Sequence, residues 1–311
     1  MENKVIAEIR DNVSRVVIGK EKEVIDIIKA MIVGGHVLIE DVPGVGKTTL
    51  VKALAKSLDL KYSRIQFTPD LLPSDITGVS IYNQKSGEFE FKKGPIFSNI
   101  VLADEINRTS PKTQSALLEV MEEKQISEGG ETYNLNSPFM VLATQNPIDY
   151  DGTYRLPEAQ LDRFIMKIRL GYASFNDEVK VLEIYRHKKP LEDIIAIATA
   201  NDVEELYEAI NGIKVDRTIN EYIIKIVEKT RNSKYIELGV STRGAMALQK
   251  IAMAEALIDD RDYVIPDDVK NNVIGVLSHR LILSQEAKVK GYTEERIMEE
   301  ILKNTETPMV K

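Results

Sequence analysis

Val37-Leu38-Ile39-Glu40-Asp41-Val42-Pro43-Gly44-Val45-Gly46-Lys47-Thr48-Thr49 is the stretch on which the reading of this chain turns. An apolar run leads into a glycine-bearing turn, the turn ends in Lys-Thr, and a helical pattern follows from Leu50 to Leu58. Strand, glycine turn, Lys-Thr and helix in that order form the layout of a loop that cradles phosphate. Gly44 and Gly46 let the backbone curl so that several N–H groups face one anion. The helix that follows adds its positive end. Lys47 has the reach for β- and γ-phosphates, and the Thr48 hydroxyl can hold Mg²⁺. The strict pattern asks for Gly where Asp41 stands, and Asp tolerates a left-handed backbone better than most side chains. A purely structural glycine turn would leave the Lys-Thr pair unexplained.

A second apolar run supplies the other half of such a site. Ile100-Val101-Leu102-Ala103 ends in Asp104-Glu105. Strands often end in acids, so the pair means little alone. Beside a phosphate loop, Asp104 can complete the Mg²⁺ shell opposite Thr48, and Glu105 can polarise an attacking water. Two adjacent acids with different tasks suit hydrolysis better than transfer to another substrate. A third run, Val141-Leu142-Ala143-Thr144-Gln145-Asn146-Pro147, has a polar tip. Asn146 carries a donor and an acceptor and can bridge γ-phosphate and water. Asn-Pro equally opens a turn, and spacing does not separate the two. Arg163 follows Asp162 just before the next apolar run, where an Arg beside an Asp also makes an ordinary solvated ion pair. Arg243 opens a helical pattern, a place the helix dipole disfavours for a cation, which hints at a nearby anion.

Short segments at Val37–Ile39, Tyr62–Phe67, Ile100–Ala103, Phe139–Thr144 and Phe164–Ile168 read as candidate buried strands. Helical patterns, notably Leu50–Leu58 and Thr113–Glu123, separate most of them. Buried strands alternating with helices predict an α/β fold with a parallel sheet covered on both faces. Ligands bind such sheets beyond the carboxyl ends of the strands. Two segments interrupt the alternation as predicted β-hairpins, at about 79–93 and 125–136. They either extend the sheet edge or project as working loops. Past Tyr172 the strand signals fade. Asp202–Ile210, Ile219–Thr230, Thr242–Ile258, Asp267–Leu277 and Glu294–Leu302 read as amphipathic helices, with Asn201 and Thr293 as candidate N-caps. The expected division is 1–173 and 174–311, each half with its own core, a boundary within Ala173–Pro190 and a frayed tail from Asn304.

Composition narrows the function classes. The 311 residues carry a net charge of −8, which argues against non-specific nucleic-acid binding as the main task. The absence of Cys removes disulfides and Cys-based zinc sites, and fits a reducing cytoplasm. His36, His187 and His279 have no metal-ligand spacing and read as structural or surface residues. No uncharged apolar stretch reaches the roughly 18 residues of a membrane helix.

With these motifs in place the chain resembles an AAA+ ATPase, and specifically the MoxR family, over nearly its whole length. Asp41–Thr48 and Ile100–Arg108 match the nucleotide motifs. More specific matches are Arg64-Ile-Gln-Phe-Thr-Pro-Asp-Leu-Leu-Pro-Ser-Asp-Ile-Thr-Gly78, Ala143–Ile148, Leu156–Phe164 and Val276-Leu277-Ser278-His279-Arg280. The resemblance implies a P-loop AAA+ core with a C-terminal α-helical lid, and ATP with Mg²⁺ held between neighbours of a ring, usually a hexamer. It implies nucleotide contacts from Asp41, Val42, Pro43, Gly44, Val45, Gly46, Lys47, Thr48 and Thr49, and adenine packing on Val17-Ile18-Gly19. Thr48 and Asp104 then hold the metal, Glu105 the water, and Asn146 is the first sensor. Arg163 matches the finger given to a neighbouring subunit, and Arg243 a second sensor through which the lid closes on ATP. The hairpins resemble insertions that face the ring pore or partners. The implied role is chaperone-like remodelling of client proteins, some with von Willebrand factor type A domains. A nucleic-acid motor, a nucleotide-gated switch without catalysis and a metal-chelatase-type motor subunit are the alternatives.

Overall fold

The computed structural model describes residues 3–42, 44–146, 154–187 and 189–308. The chain opens with α1 (Lys4–Ser14) and α2 (Glu21–Ile32), then β1 (Val37–Glu40), α3 (Lys47–Ser57), β2 (Tyr62–Gln66) and α4 (Pro73–Thr77). It continues through β3 (Gly78–Asn83), β4 (Glu88–Lys93), β5 (Ile100–Asp104), α5 (Pro111–Glu123), β6 (Gln125–Glu128), β7 (Glu131–Asn134) and β8 (Met140–Gln145). After α6 (Glu158–Leu161) and β9 (Met166–Ile168) come α7 (Phe175–Tyr185), α8 (Ala200–Ile210), α9 (Arg217–Arg231) and β10 (Ile236–Leu238). The last elements are α10 (Thr242–Ile258), α11 (Pro266–Leu277), β11 (Ile282–Leu283), α12 (Gln285–Val289) and α13 (Glu294–Lys303).

The main sheet has five strands in the order β2-β5-β8-β1-β9, with every pairing parallel. The winding reverses beside β1, so the carboxyl ends of β1, β8 and β5 border one crevice. Strict alternation along the strands splits the buried residues by sheet face. Val37, Ile39, Leu102 and Leu142 pack on one side with α1, α2, α3 and α8 to α13. Leu38, Val101, Ala103, Val141 and Ala143 pack on the other with Leu117, Leu118 and Met121 of α5. The helices of the C-terminal half thus share a core with one face of the sheet.

Local differences from the sequence reading have simple causes. The hairpins β3–β4 and β6–β7 form their own two-stranded sheets and do not lengthen the main one. They touch each other through Phe91 and Tyr133, whose ring centroids lie 4.5 Å apart. Helix α7 fills the expected boundary region, capped by the Ser174 hydroxyl and burying no residue, so no apolar face announced it. Helix α8 starts before Asn201. Thr199 is its N-cap, with its N–H and hydroxyl both donating to Asp202 at 2.7 Å. Thr293 caps α13 as expected. Thr305, expected in a frayed tail, is buried and donates to the Ile301 carbonyl at 2.7 Å. Residues 309–311 lie outside the described residues.

Candidate functional site

The phosphate loop joins the carboxyl end of β1 to α3. Gly44 and Gly46 have φ of 89° and 87°, and added Cβ atoms there would meet open space. The demand for Gly is therefore conformational, and it leaves the loop N–H groups bare for an anion. Gly46 is the N-cap of α3, while Lys47, Thr48 and Thr49 form its half-buried first turn. Lys47 Nζ donates to the Asp41 carbonyl at 3.0 Å, folding the ammonium over the loop. Val45 packs against the larger core, and Pro43 lies outside the described residues.

Asp41 is not left-handed, contrary to the reason first given for its presence. Its buried carboxylate accepts the N–H of Val42 at 2.8 Å and of Gly171 at 2.6 Å. It thus ties the loop to the segment after β9. Lys20, also buried, donates to the Leu170 carbonyl and, at 3.1 Å, to that of Tyr172. Lys20 directly follows Val17, Ile18 and Gly19. Val17 is buried, and Gly19 (φ 74°) lies so near Asp177 of α7 that a Cβ would come within 2.6 Å of its carboxylate. The two buried charges therefore draw phosphate loop, adenine-segment candidate and the start of α7 together. The tie from Asp41 to Gly171 and the role of Lys20 were not recognised from sequence, because those partners are backbone groups far along the chain.

Asp104 and Glu105 stand at the carboxyl end of β5. The Thr144 hydroxyl, fully buried on β8, donates to Asp104 at 2.6 Å and accepts the Glu105 N–H at 2.8 Å. Arg64 donates to Asp104 at 2.6 Å and to Gln66 at 2.7 Å, and Gln66 donates to Glu105 at 2.9 Å. Arg108 also faces Glu105, at 3.4 Å. Arg64 and Gln66 share one face at the end of β2, an alternation visible in the quoted motif though unread as such. Glu105 takes a left-handed backbone (φ 58°), unusual for a non-glycine residue at a candidate catalytic position. Asn146 directly follows β8, the strand next to β5, and is half-buried.

Thr48 and Asp104 offer hard oxygen ligands, and among the described residues no cluster of three acids or histidines could by itself cage a cation. Mg²⁺ prefers such oxygen ligands, taking one or two side chains and filling its shell with phosphate and water. The Arg64 guanidinium against Asp104 shows that this carboxylate already accommodates a positive partner.

Arg163 and Arg243 lie elsewhere. Both pair with Glu122 near the end of α5, at 3.1 and 2.9 Å, and Arg163 also donates to the Leu118 carbonyl at 2.5 Å. The three line a cavity of about 380 Å³ with Gly35, His36 and Ile165, residues just before β1 and β9. This is the amino end of the sheet, and the strand from His36 to Asp41 alone covers about 16 Å. Within one copy, Arg243 therefore sits at the opposite end of the sheet from the phosphate loop. Buried His36 secures this end, accepting the Val141 N–H at 3.0 Å and facing the Met121 carbonyl at 3.0 Å. Burial holds its imidazole down at about 4, against an opposing pull from that carbonyl, with Lys124 adding to the shift. His279 is buried and His187 exposed, structural and surface residues as read.

Comparison with known proteins agrees with this architecture. The model of the ATPase family associated with various cellular activities (AAA) matches residues 36–166, and that of the AAA lid domain matches 228–301. The uncharacterized protein YeaC of Bacillus subtilis (strain 168) is 52% identical over 96% of this chain and 93% of its own. Chaperone MoxR1 of Mycobacterium tuberculosis is 40% identical over 96% of this chain and 81% of its own. The crystal structure of a candidate ATPase from Cytophaga hutchinsonii ATCC 33406 superposes with a TM-score of 0.91 at 44% identity, covering 98% of this chain and 95% of that one. No helix among the described residues is long and apolar enough to cross a membrane. With a parallel sheet matching the AAA model, a matching lid model and 40% identity to a MoxR chaperone over nearly the whole chain, this protein belongs to the MoxR family of AAA+ ATPases.

Proposed function

We propose that the protein hydrolyses ATP with Mg²⁺ at the junction between two copies of itself, within a closed ring that is usually a hexamer, and uses the resulting movement to remodel client proteins. The observation that carries this reading is the separation of the two halves of the site. Lys47, Asp104 and Glu105 gather at the carboxyl end of the sheet, and Arg163 and Arg243 at the amino end. A single protomer cannot bring both to one phosphate, whereas a head-to-tail neighbour can.

In this reading the loop amides, Lys47 and Thr49 hold the phosphates, and Val17, Ile18 and Gly19 pack on adenine. Thr48 and Asp104 would hold Mg²⁺, which supplies charge neutralisation on the phosphates. Glu105 takes the proton of the attacking water and Asn146 orients it. Glu105 first has to leave Gln66 and Arg108, and Asp104 has to exchange Arg64. The neighbour's Arg163 and Arg243 exchange Glu122 for the γ-phosphate and neutralise charge that develops on it. Residues 1–173 act as the nucleotide-binding domain and 174–311 as the lid, with Gly171, held by Asp41, at the hinge. Loss of phosphate then changes how one copy's lid sits against the next. The hairpins are placed to meet clients, including proteins with von Willebrand factor type A domains, in the cytoplasm. The net charge of −8 supports protein partners over nucleic acid.

The test is ATP turnover as a function of protein concentration, with Glu105→Gln and Arg163→Ala mixed. Each variant alone is inactive, and the mixture recovers activity because one copy keeps an intact loop and the other an intact finger. Turnover independent of concentration, with Arg163→Ala unaffected, rejects the shared site. A pull-down with Glu105→Gln and ATP identifies clients of the closed state.

A further inference from the structure

Ser278-His279-Arg280 follows α11 and enters the core next to the segment that carries Arg163. The Arg280 side chain is only 3% exposed, the deepest of the guanidinium groups found in ion pairs. Its donors converge on one short stretch. Nε donates to Asp162 at 2.7 Å, and Nη2 donates to the Phe164 carbonyl at 2.8 Å and the Asp162 carbonyl at 3.3 Å. Nη1 reaches the Ile165 carbonyl at 3.4 Å and turns back to the Val276 carbonyl of the preceding α11. The fork thus grips the residues on both sides of Arg163 while leaving the Arg163 side chain free to meet Glu122.

The stem of the same residue supports the second arginine. Gly244 follows Arg243 in the first turn of α10, and its N–H donates to the N-cap Ser241 at 3.2 Å. A Cβ on Gly244 would come within 2.6 Å of Val240 Cγ1 and 3.0 Å of Arg280 Cδ. Glycine therefore lets α10 rest directly on the Arg280 stem. A buried charge this well paired is costly to leave half-bonded, so the lid, Asp162 and the first turn of α10 have one low-energy arrangement.

We propose that Arg280 is the positioning residue that presents Arg163 and Arg243 as one unit to the neighbouring copy's phosphates. The proposal rests on the shared-site reading and adds a residue at the back of the same cavity, whose donors are spent on Asp162 and the surrounding carbonyls and which therefore acts through Arg163 and Arg243. Planar geometry is essential, because an ammonium cannot serve Asp162 and the Phe164 carbonyl together through a rigid fork.

The experiment compares Arg280→Lys with Arg163→Ala. Arg280→Lys keeps charge and stem, and is expected to lower kcat at least tenfold while ATP affinity, read by nucleotide titration, changes less than twofold. Mixed with Glu105→Gln it recovers activity, because it retains a working loop that accepts a neighbour's finger. Added to Arg163→Ala it causes no further tenfold loss. Unchanged kcat, failure of the mixture to recover, or a full multiplicative loss in the double variant each overturns the proposal. If Arg280→Lys melts well below the parent, Asp162→Asn replaces it and is expected to lower kcat severalfold with the same mixing behaviour. If Arg163→Ala itself has full activity, the shared site falls. If Arg163→Ala is inactive and rescued while the Arg280 and Asp162 variants turn over normally, only the positioning role falls.

Discussion

The two ends of the sheet were built by different means. At the carboxyl end, contiguous motifs follow three neighbouring strands, and most of their partners are nearby backbone or the adjacent strand. At the amino end, Glu122, Arg163 and Arg243 come from three distant segments and meet only because α5, the stretch before β9 and α10 pack together. The first end binds a ligand using geometry that a single copy already has. The second holds two cations against an internal carboxylate until a stronger anion replaces it.

The strongest way to break this contrast is to disable each end in turn. Arg163→Ala is expected to cost about 10³–10⁵ in turnover, as loss of a trans arginine does in related phosphoryl transfers. ATP affinity should stay within about twofold, since the loop lies at the other end of the sheet. Lys47→Ala should abolish turnover by removing binding, so titration of a fluorescent nucleotide separates the two. Weak nucleotide binding by Arg163→Ala would place both ends in one site and end the comparison.

The next largest effect concerns acid. His36 sits beneath Glu122 with its imidazole held neutral at about 4, whereas in the unfolded chain it titrates near 6.5. Below about pH 6.5 the unfolded chain binds a proton that the folded one refuses. Stability should therefore fall as pH drops from about 6.5 to about 4, by about 3 kcal/mol in total, and then level off for this group. Protonation also removes the acceptor for the Val141 N–H, so the amino end should loosen first. Hydrogen exchange at Val141 and along α5, followed from pH 7 to pH 4.5, checks the order. Earlier loosening of the phosphate loop contradicts it.

Thr144→Val sharpens the contrast from the other side. The substitution keeps the shape and removes the hydroxyl that joins Asp104 to the Glu105 N–H. Leaving that buried N–H unpaired costs about 1–3 kcal/mol. Turnover should fall roughly tenfold, because the two acids lose their fixed spacing, which is about 1.4 kcal/mol on the barrier. Denaturant titration and kcat measure the two effects separately, and concentration dependence should not change.

How much was legible in the sequence follows the same division. The strands of the main sheet were visible to within a residue or two at their ends, the inner ones β1, β5 and β8 because burial on both faces leaves continuous hydrophobic stretches and the edge strand β2 by a mixed pattern in which only Ile65 is buried. The loop and the acids were visible because their chemistry requires neighbouring residues. Asp41 was seen but explained wrongly, since its partner Gly171 lies far along the chain. Helix α7 was missed because it buries nothing, and α8 was started late because Thr199, not Asn201, completes the capping box. Arg163 and Arg243 were picked out by their positions and given roles only by the family resemblance, while Glu122, which brings them together, has no signal of its own. Helix α5 ends in two acids, and only packing selects which of them faces the arginines.

Glu122→Gln carries the smallest expected effect and probes the idea most directly. The carboxylate is 39% exposed and the guanidinium of Arg243 is 50% exposed, so solvent screens the pairs and each is worth well under about 1 kcal/mol. An amide keeps the shape and can still accept from one arginine, but it no longer competes with a neighbour's phosphate as an anion. Turnover at saturating protein should change little, while the protein concentration giving half-maximal turnover should fall by about two- to fivefold, the factor that under 1 kcal/mol allows. Sedimentation of the variant with ATP should show the larger species at correspondingly lower concentration. A rise in the half-maximal concentration would mean that Glu122 holds the arginines in their working pose, making the carboxylate part of the interface and not its competitor.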